Sequence, residues 1–240
     1  MEVIRTFFQL KETAATIIAE KKYVDVGKRG IVEAREIIEK YIIEDPFFLH
    51  TFEPYEVPEN AHSLIKRMSH ASMDFEVGPM AAVAGAISQY AVEKMRDLGS
   101  SHAIIDNCGD ISLYTPRREV KVGIYTGNPE TSEFALIIRP EEGVGGVCTS
   151  SGKIGPSISF GNADAVVIIS EDAIRADAAA TAVANMIRDK DDIKKAFQHL
   201  EGKRVKGAIA IVGRHIGLWG DLPEIVKARI REDKITWRWF

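Results

Sequence analysis

The stretch from Ala165 to Ala182 reads AVVIISEDAIRADAAATA. Its first part, Ala165 to Ile169, is a short apolar run rich in β-branched residues, the pattern of a strand. Ser170 or Asp172 then supplies an oxygen able to cap a helix, which runs to about Arg188. Inside that helix Asp177 and Thr181 stand four residues apart and share a face. Their neighbours are nearly all alanine, so the helix can lie close against another backbone. A carboxylate in such surroundings is costly unless it is paired, hydrogen-bonded or bound to a metal. Two readings follow. Asp177 and Thr181 offer hard oxygen ligands for a cation such as magnesium, or Asp177 accepts backbone amides while Thr181 packs. The pattern itself does not choose between them.

Upstream of this segment the signal is mostly strand. Residues 102–106, 110–114, 120–125, 133–138 and 143–148 are short runs divided by Gly, Pro and Asn turns. The last leads into Thr149-Ser150-Ser151-Gly152, whose hydroxyls and flexible backbone suit either a phosphate cradle or an ordinary Ser/Gly turn. Asn107-Cys108-Gly109-Asp110 joins two of the runs. Gly109 there permits close approach of a ligand and Asp110 can bind a ribose hydroxyl, or the segment is a hairpin turn. Cys108 as a nucleophile needs a histidine partner, and His102, six residues away, is not placed by any local pattern.

At the N-terminal end, residues 3–10, 13–20 and 22–27 read as strands. A helix opens at Gly30, carries Ile31, Ala34, Ile37, Ile38 and Tyr41 at helical spacing, and stops at Asp45-Pro46. Further helices are expected over 61–71 and from Pro79 to about Leu98, with Val83, Ile87, Tyr90, Met95 and Leu98 on the buried side and Gly99 as the stop. Residues 189–200 form another helix, and 205–212 with 216–219 form a hairpin around Gly213-Arg214. Strands followed by helices, twice over, define an α+β fold with antiparallel sheets. That order is compatible with one unit spanning 1–240 or with two intertwined halves meeting near residue 100.

The chain has 240 residues, 45% of them hydrophobic, and a formal net charge of −4. The basic residues are interleaved with acids, which argues against nucleic-acid binding. No apolar run approaches the ~18 residues a membrane span needs. Two cysteines far apart, with no Cys-x-x-Cys pair, indicate neither a zinc site nor a disulfide framework and lead us to expect a cytoplasmic protein. No Gly-x-Gly-x-x-Gly follows a strand. Gly146 to Lys153 fails as a phosphate-binding P-loop, because Ile154 stands where a Ser or Thr must ligate magnesium. The terminal Trp237-Arg238-Trp239-Phe240 suggests core packing or a homo-oligomer interface.

Three segments, in order, resemble the ApbE-like superfamily, whose best-known members are FAD:protein FMN transferases. Asp74 to Gly99, containing GAISQYAV from Gly85 to Val92, is similar to the family's glycine-bearing helix. Ile104 to Asp110 is similar to its strand ending in Gly-Gly-Asp. Cys148 to Gly152, followed by Asp164 to Thr181, resembles its Thr-Ser-Gly loop and Ala-Asp-Ala-x-x-Thr-Ala helix. The resemblance implies two tandem T-fold-like halves and a small-molecule ligand, FAD or another flavin, touching Gly109, Asp110, Thr149, Ser150, Ser151 and Gly152. It also implies Mg2+ held partly by Asp177 and Thr181, and an acceptor protein if flavin is transferred. The departures are specific. Ala84 precedes Gly85 where the transferases carry Lys-Gly, and Cys108 replaces the first glycine of Gly-Gly-Asp. Residues 155–162, GPSISFGN, lack the His and Asp of the transferases' His-x-x-Asp-Pro-x-Thr-Gly stretch. A flavin or small-ligand binding protein without turnover is therefore the alternative.

Overall fold

In the computed structural model the described residues are 2–127, 131, 134–141, 143–152, 161–229 and 232–236. Strands β1 (Val3–Leu10) and β2 (Thr13–Glu20) form a hairpin with Leu10 opposite Thr13. The third strand expected over 22–27 is instead one 3-10 turn, Lys21–Tyr23, leading into helix α1 (Val24–Glu44). The β-branched Val24 and Val26 gave the strand signal, but both are buried on the inner side of the helix, and tertiary packing overrides local preference there. Asp45-Pro46 ends α1 as expected. A four-residue helix α2 (Phe47–His50) follows, then an irregular stretch, α3 (Ser63–Phe75) and α4 (Val83–Asp97), the last entered through a 3-10 turn at Pro79–Ala82.

The second half is built of β3 (Ala103–Asn107), β4 (Asp110–Tyr114), β5 (Val120–Ile124), β6 (Phe134–Ile138), β7 (Gly145–Ser150) and β8 (Ala165–Ser170). Helices α5 (Ala173–Met186) and α6 (Ile193–Gln198) come next, and then β9 (Gly207–Val212), β10 (His215–Gly220) and β11 (Glu224–Lys227). Sequence patterning did not single out β11, whose exposed, charge-flanked residues pair with β6.

Among the described residues eight strands make one sheet, ordered β1-β2-β3-β4-β7-β8-β9-β10, and three make a second, ordered β11-β6-β5. Every pairing is antiparallel, and β2 pairs with β3, so the large sheet is continuous across residue 100. The helices cover one face of the large sheet and the small sheet covers part of the other. Strand β8 shows why its sequence is uninterruptedly apolar. Val166 and Ile168 pack into the helix-side core, while Ala165, Val167 and Ile169 pack into the core between the sheets. Alternation puts successive side chains on opposite faces, and both faces are covered.

Helices α4 and α5 cross at small residues. A Cβ on Gly85 would lie 2.2 Å from the Ala173 carbonyl oxygen and 2.8 Å from Asp177 Cβ, so only glycine permits this approach. The buried side of α4 is accordingly Gly85, Ala86, Ile87, Ser88, Gln89, Ala91, Val92 and Met95. Leu98, expected inside, is 61% exposed, because it lies past the last turn of the helix. The aromatic tail Trp237–Phe240 lies outside the described residues.

Candidate functional site

Four elements meet on the helix side of the large sheet. Asn107 and Asp110 close the β3–β4 hairpin, and the two residues between them, Cys108 and Gly109, have φ of 54° and 101°. Positive φ at both central positions is the two-residue hairpin turn whose twist matches the flanking strands. The turn reading of this segment is therefore what the backbone shows. It also turns Asp110 toward the helices, directly opposite Cys148 of β7.

Asp177 approaches from α5. Its Oδ2 accepts the Gly85 N–H at 2.8 Å, and the Ala84 N–H also donates to this carboxylate. Helix α4 has no side-chain cap of its own, since Ala82 stands at the cap position. Asp177 supplies the missing cap from another helix and places negative charge at the positive end of the α4 dipole. Burial nevertheless outweighs these bonds. It lifts the Asp177 carboxyl from the ordinary 3.8 to about 7, with the Gly85 and Ala84 amides pulling in the opposite direction.

Asp110 is the second carboxyl of the pair. Burial first, and then the charge of Asp177, push it well above the usual carboxylate range, against bonds from the Cys148 thiol and the Thr149 amide. Its Oδ1 is shut off from solvent and finds no hydrogen-bond partner among the described residues. Burial thus holds both carboxyls toward their protonated forms, and a charge on Asp177 makes ionising Asp110 harder still. Burial and the nearby Asp110 and Asp177 charges likewise keep the Cys148 thiol protonated, and its sulfur also lies 3.4 Å from the Ala173 carbonyl oxygen, a second acceptor for the same S–H.

The cluster is braced by α4. Ser88 Oγ lies 2.9 Å from both the Ala84 and Asp110 carbonyl oxygens, and Asn107 Nδ2 donates to Ala84 O at 3.3 Å. Gln89 Oε1 accepts from Ser112 Oγ at 3.1 Å and from Ala173 N at 2.9 Å, tying β4 to the start of α5. Neither Ser88 nor Gln89 stood out in the sequence, where they read as ordinary helix residues. Only the crossing of three elements gives them their role.

The segment Thr149-Ser150-Ser151-Gly152 is not a free loop. Thr149 and Ser150 complete β7, and strand alternation puts them on opposite faces. Its hydroxyls therefore do not converge on one point. Ser150 shares the helix-side face with Cys148, is 4% exposed, and its Oγ has no partner among the described residues. Gly152 donates to Ala163 O at 3.0 Å, and a Cβ there would stand 2.0 Å from Gly161 O. Thr181 is half-buried, one turn beyond Asp177. Cys108 Sγ donates to Ala14 O at 3.4 Å. Strand β3 runs between it and His102, so these two residues stand at opposite ends of the strand and do not pair.

Among the described residues no group of three or more His, Cys, Asp or Glu is arranged to hold a metal ion. The polar groups on the helix side of the sheet here carry hard oxygens, the carboxyls of Asp110 and Asp177 and the buried Ser150 hydroxyl. At the far end of α5 a cleft of about 310 Å³ is lined by Asn185, Met186, Arg188, Asp192, Lys195 and Ala196. No helix among the described residues is long and apolar enough to cross a membrane.

This architecture is that of the ApbE proteins. The ApbE protein of Thermotoga maritima superposes with a TM-score of 0.59 over 95% of this chain and 97% of its own, at 14% identity. The apo form of Pseudomonas stutzeri flavinyl transferase ApbE gives 0.58 over 92% and 94%, at 12% identity. At such identities the likeness is one of fold. The chain belongs to the family described as "AbpE bacteria", whose model matches residues 4–201. It is 44% identical over 236 residues to a UPF0280 protein of Methanothrix thermoacetophila, covering 98% of this chain and 99% of that one. A UPF0280 protein of Methanosarcina acetivorans is 45% identical over 236 residues, covering 97% and 93%.

Proposed function

We propose that this protein binds a flavin- or nucleotide-type ligand together with magnesium, and that the carboxyls of Asp110 and Asp177 with the hydroxyl of Thr181 hold the cation. The observation that carries this reading is the buried Asp110 Oδ1, which has no hydrogen-bond partner among the described residues and belongs to a carboxyl that feels the charge of a second buried one, Asp177. An unpaired buried polar oxygen costs on the order of 1–3 kcal/mol, and a hard divalent cation would satisfy it and replace the protons that burial holds on the pair. The chemistry of the donors fits magnesium, which takes few carboxylates and completes its shell with water and phosphate oxygens. When bound, the cation would neutralise charge on a pyrophosphate.

Asp177, Thr181 and Asn185 follow one another at four-residue steps, within one stripe of α5. A ligand anchored at the carboxyls can extend along that stripe for about 12 Å, at 1.5 Å per residue, to the cleft carrying Arg188 and Lys195. Both cations there suit a phosphate-bearing ligand. Transfer of FMN from FAD is the finer form of this proposal, supported by the name of one of the similar structures, the flavinyl transferase of Pseudomonas stutzeri. The missing His and Asp of residues 155–162 support the other form, binding without turnover.

The test is incubation of the full chain with FAD and MgCl2, following AMP release and thermal shift together. AMP released by the wild type and not by Asp177→Asn supports transfer or pyrophosphate cleavage. A magnesium-dependent shift with FAD and no AMP supports the binding form. No shift with FAD, FMN or nucleotides in the presence of magnesium overturns both.

A further inference from the structure

The outer face of the large sheet, opposite the carboxyl pair, carries a second polar cluster that belongs to the end of the chain. Residues 232–236 run across β1 and β2. Arg5 Nη2 donates to the Lys234 carbonyl at 2.5 Å, and Thr236, 6% exposed, places its hydroxyl 2.8 Å from that of Thr16. The same Thr236 hydroxyl reaches Asp106 Oδ2 at 2.5 Å. Asp106 lies beside the hairpin turn, and its Oδ1 accepts the Gly109 N–H at 2.9 Å. The connected path therefore runs Thr16, Thr236, Asp106, Gly109, and the next residue is Asp110. The match to the family model ends at residue 201, so Thr236 lies beyond it.

We infer that Thr236 is a positioning residue, which through Asp106 and the Gly109 amide fixes the turn that aims Asp110 at Asp177. The inference rests on the cation site described above. The turn needs such support, because Cys108 is a non-glycine residue at positive φ, a conformation that persists where the surroundings hold it. Asp106 is the holder on the strand side and Thr236 orients it from the tail. In metal sites such outer partners set the orientation of the groups that touch the ion.

The experiment compares the full-length wild type with Thr236→Val, Thr236→Ser and Thr16→Val. Two readouts are taken, the rate of iodoacetamide labelling at Cys108 mapped by mass spectrometry, and the affinity for Mg2+ alone by calorimetry. Thr236→Val should speed labelling of Cys108 severalfold while Cys148 stays protected, and should weaken Mg2+ binding by roughly tenfold. Thr236→Ser should restore both, and Thr16→Val, which cuts the path at its outer end, should fall between. A variant that melts earlier with unchanged Cys108 labelling and unchanged Mg2+ affinity overturns the inference, since the tail would then only add stability. Unchanged labelling overturns it whether or not Mg2+ binds. A wild type with no Mg2+ affinity overturns the reading of the cation site, whereas faster Cys108 labelling in Thr236→Val still supports the hold of Thr236 on the turn.

Discussion

Asp177→Asn should make the metal-free protein more stable, although it removes a residue placed in the binding site. The carboxyl moves from 3.8 in the unfolded chain to about 7 in the folded one. At about 1.4 kcal/mol per pH unit, that shift corresponds to roughly 4 kcal/mol of folding free energy forfeited once the pH is well above 7. The direction follows from proton binding. Between about pH 4 and 7 the folded state holds a proton that the unfolded state has released, so stability falls as the pH rises through this window and then levels off. A carboxamide does not ionise. It keeps an oxygen for the Gly85 N–H and gives up the bond from Ala84, a loss of about 1 kcal/mol. The net gain is about 2–3 kcal/mol, or roughly 5–10 °C in Tm for a chain of this size. The assay is thermal and urea unfolding of both proteins in EDTA from pH 4 to 8.5, repeated with MgCl2. The variant should be about 1 kcal/mol less stable than wild type at pH 4, overtake it through neutrality, and lose its advantage in MgCl2, where the wild type alone gains from binding. A variant no more stable than wild type at pH 8 in EDTA, or a gap that does not vary with pH, would refute the claim that burial dominates at this carboxyl.

Gly85→Ala should destabilise the protein in spite of alanine's better helix propensity. The added methyl meets the Ala173 carbonyl at 2.2 Å, and overpacking of about 1–3 kcal/mol exceeds a propensity gain of about 1 kcal/mol. A Tm equal to or above wild type by calorimetry would show that α4 and α5 can part without penalty. Glu20→Gln should remove an acid-sensitive contribution. Burial raises the Glu20 carboxyl, but bonds from Ser100 and Ser101 outweigh it and bring it down to about 2. Its stabilisation is therefore present above about pH 4.5 and lost as the pH falls toward 2. Acid titration followed by circular dichroism should show the variant less stable at neutrality and converging with wild type below pH 3, and parallel curves would contradict this.

The α+β class and antiparallel pairing were legible because most strands announce themselves by β-branched runs between turn residues. β1 and β2 have the limits that their sequence suggests. The start of α1 was not legible, since Val24 and Val26 carry the same local signal in a helix as in a strand. The site was legible in its parts. Asp177 stood out as a carboxylate among alanines, and Asp110 stood out beside a glycine. Their coupling did not, because it depends on a two-residue turn and on the register that sets Asp110 opposite Cys148. Thr236 carried no signal at all, as a lone threonine far along the chain from Asp106. The hydroxyl-rich segment at 149–152 was legible in composition but not in direction, since composition does not say which way strand residues face.

The pairing of β2 with β3 has a consequence for how the chain is made. Thr16 and Asp106 are partners in the register, yet all four N-terminal helices are synthesised between them. At roughly 5–20 residues per second, the first hairpin waits several seconds on the ribosome with the inner edge of β2 unpaired. An open edge invites another chain to add a strand. The strand that carries this edge is apolar apart from Thr13, Thr16 and Glu20. The nascent protein thus passes through a stage at which covering this edge, by α1 folding down or by a chaperone, decides between folding and aggregation.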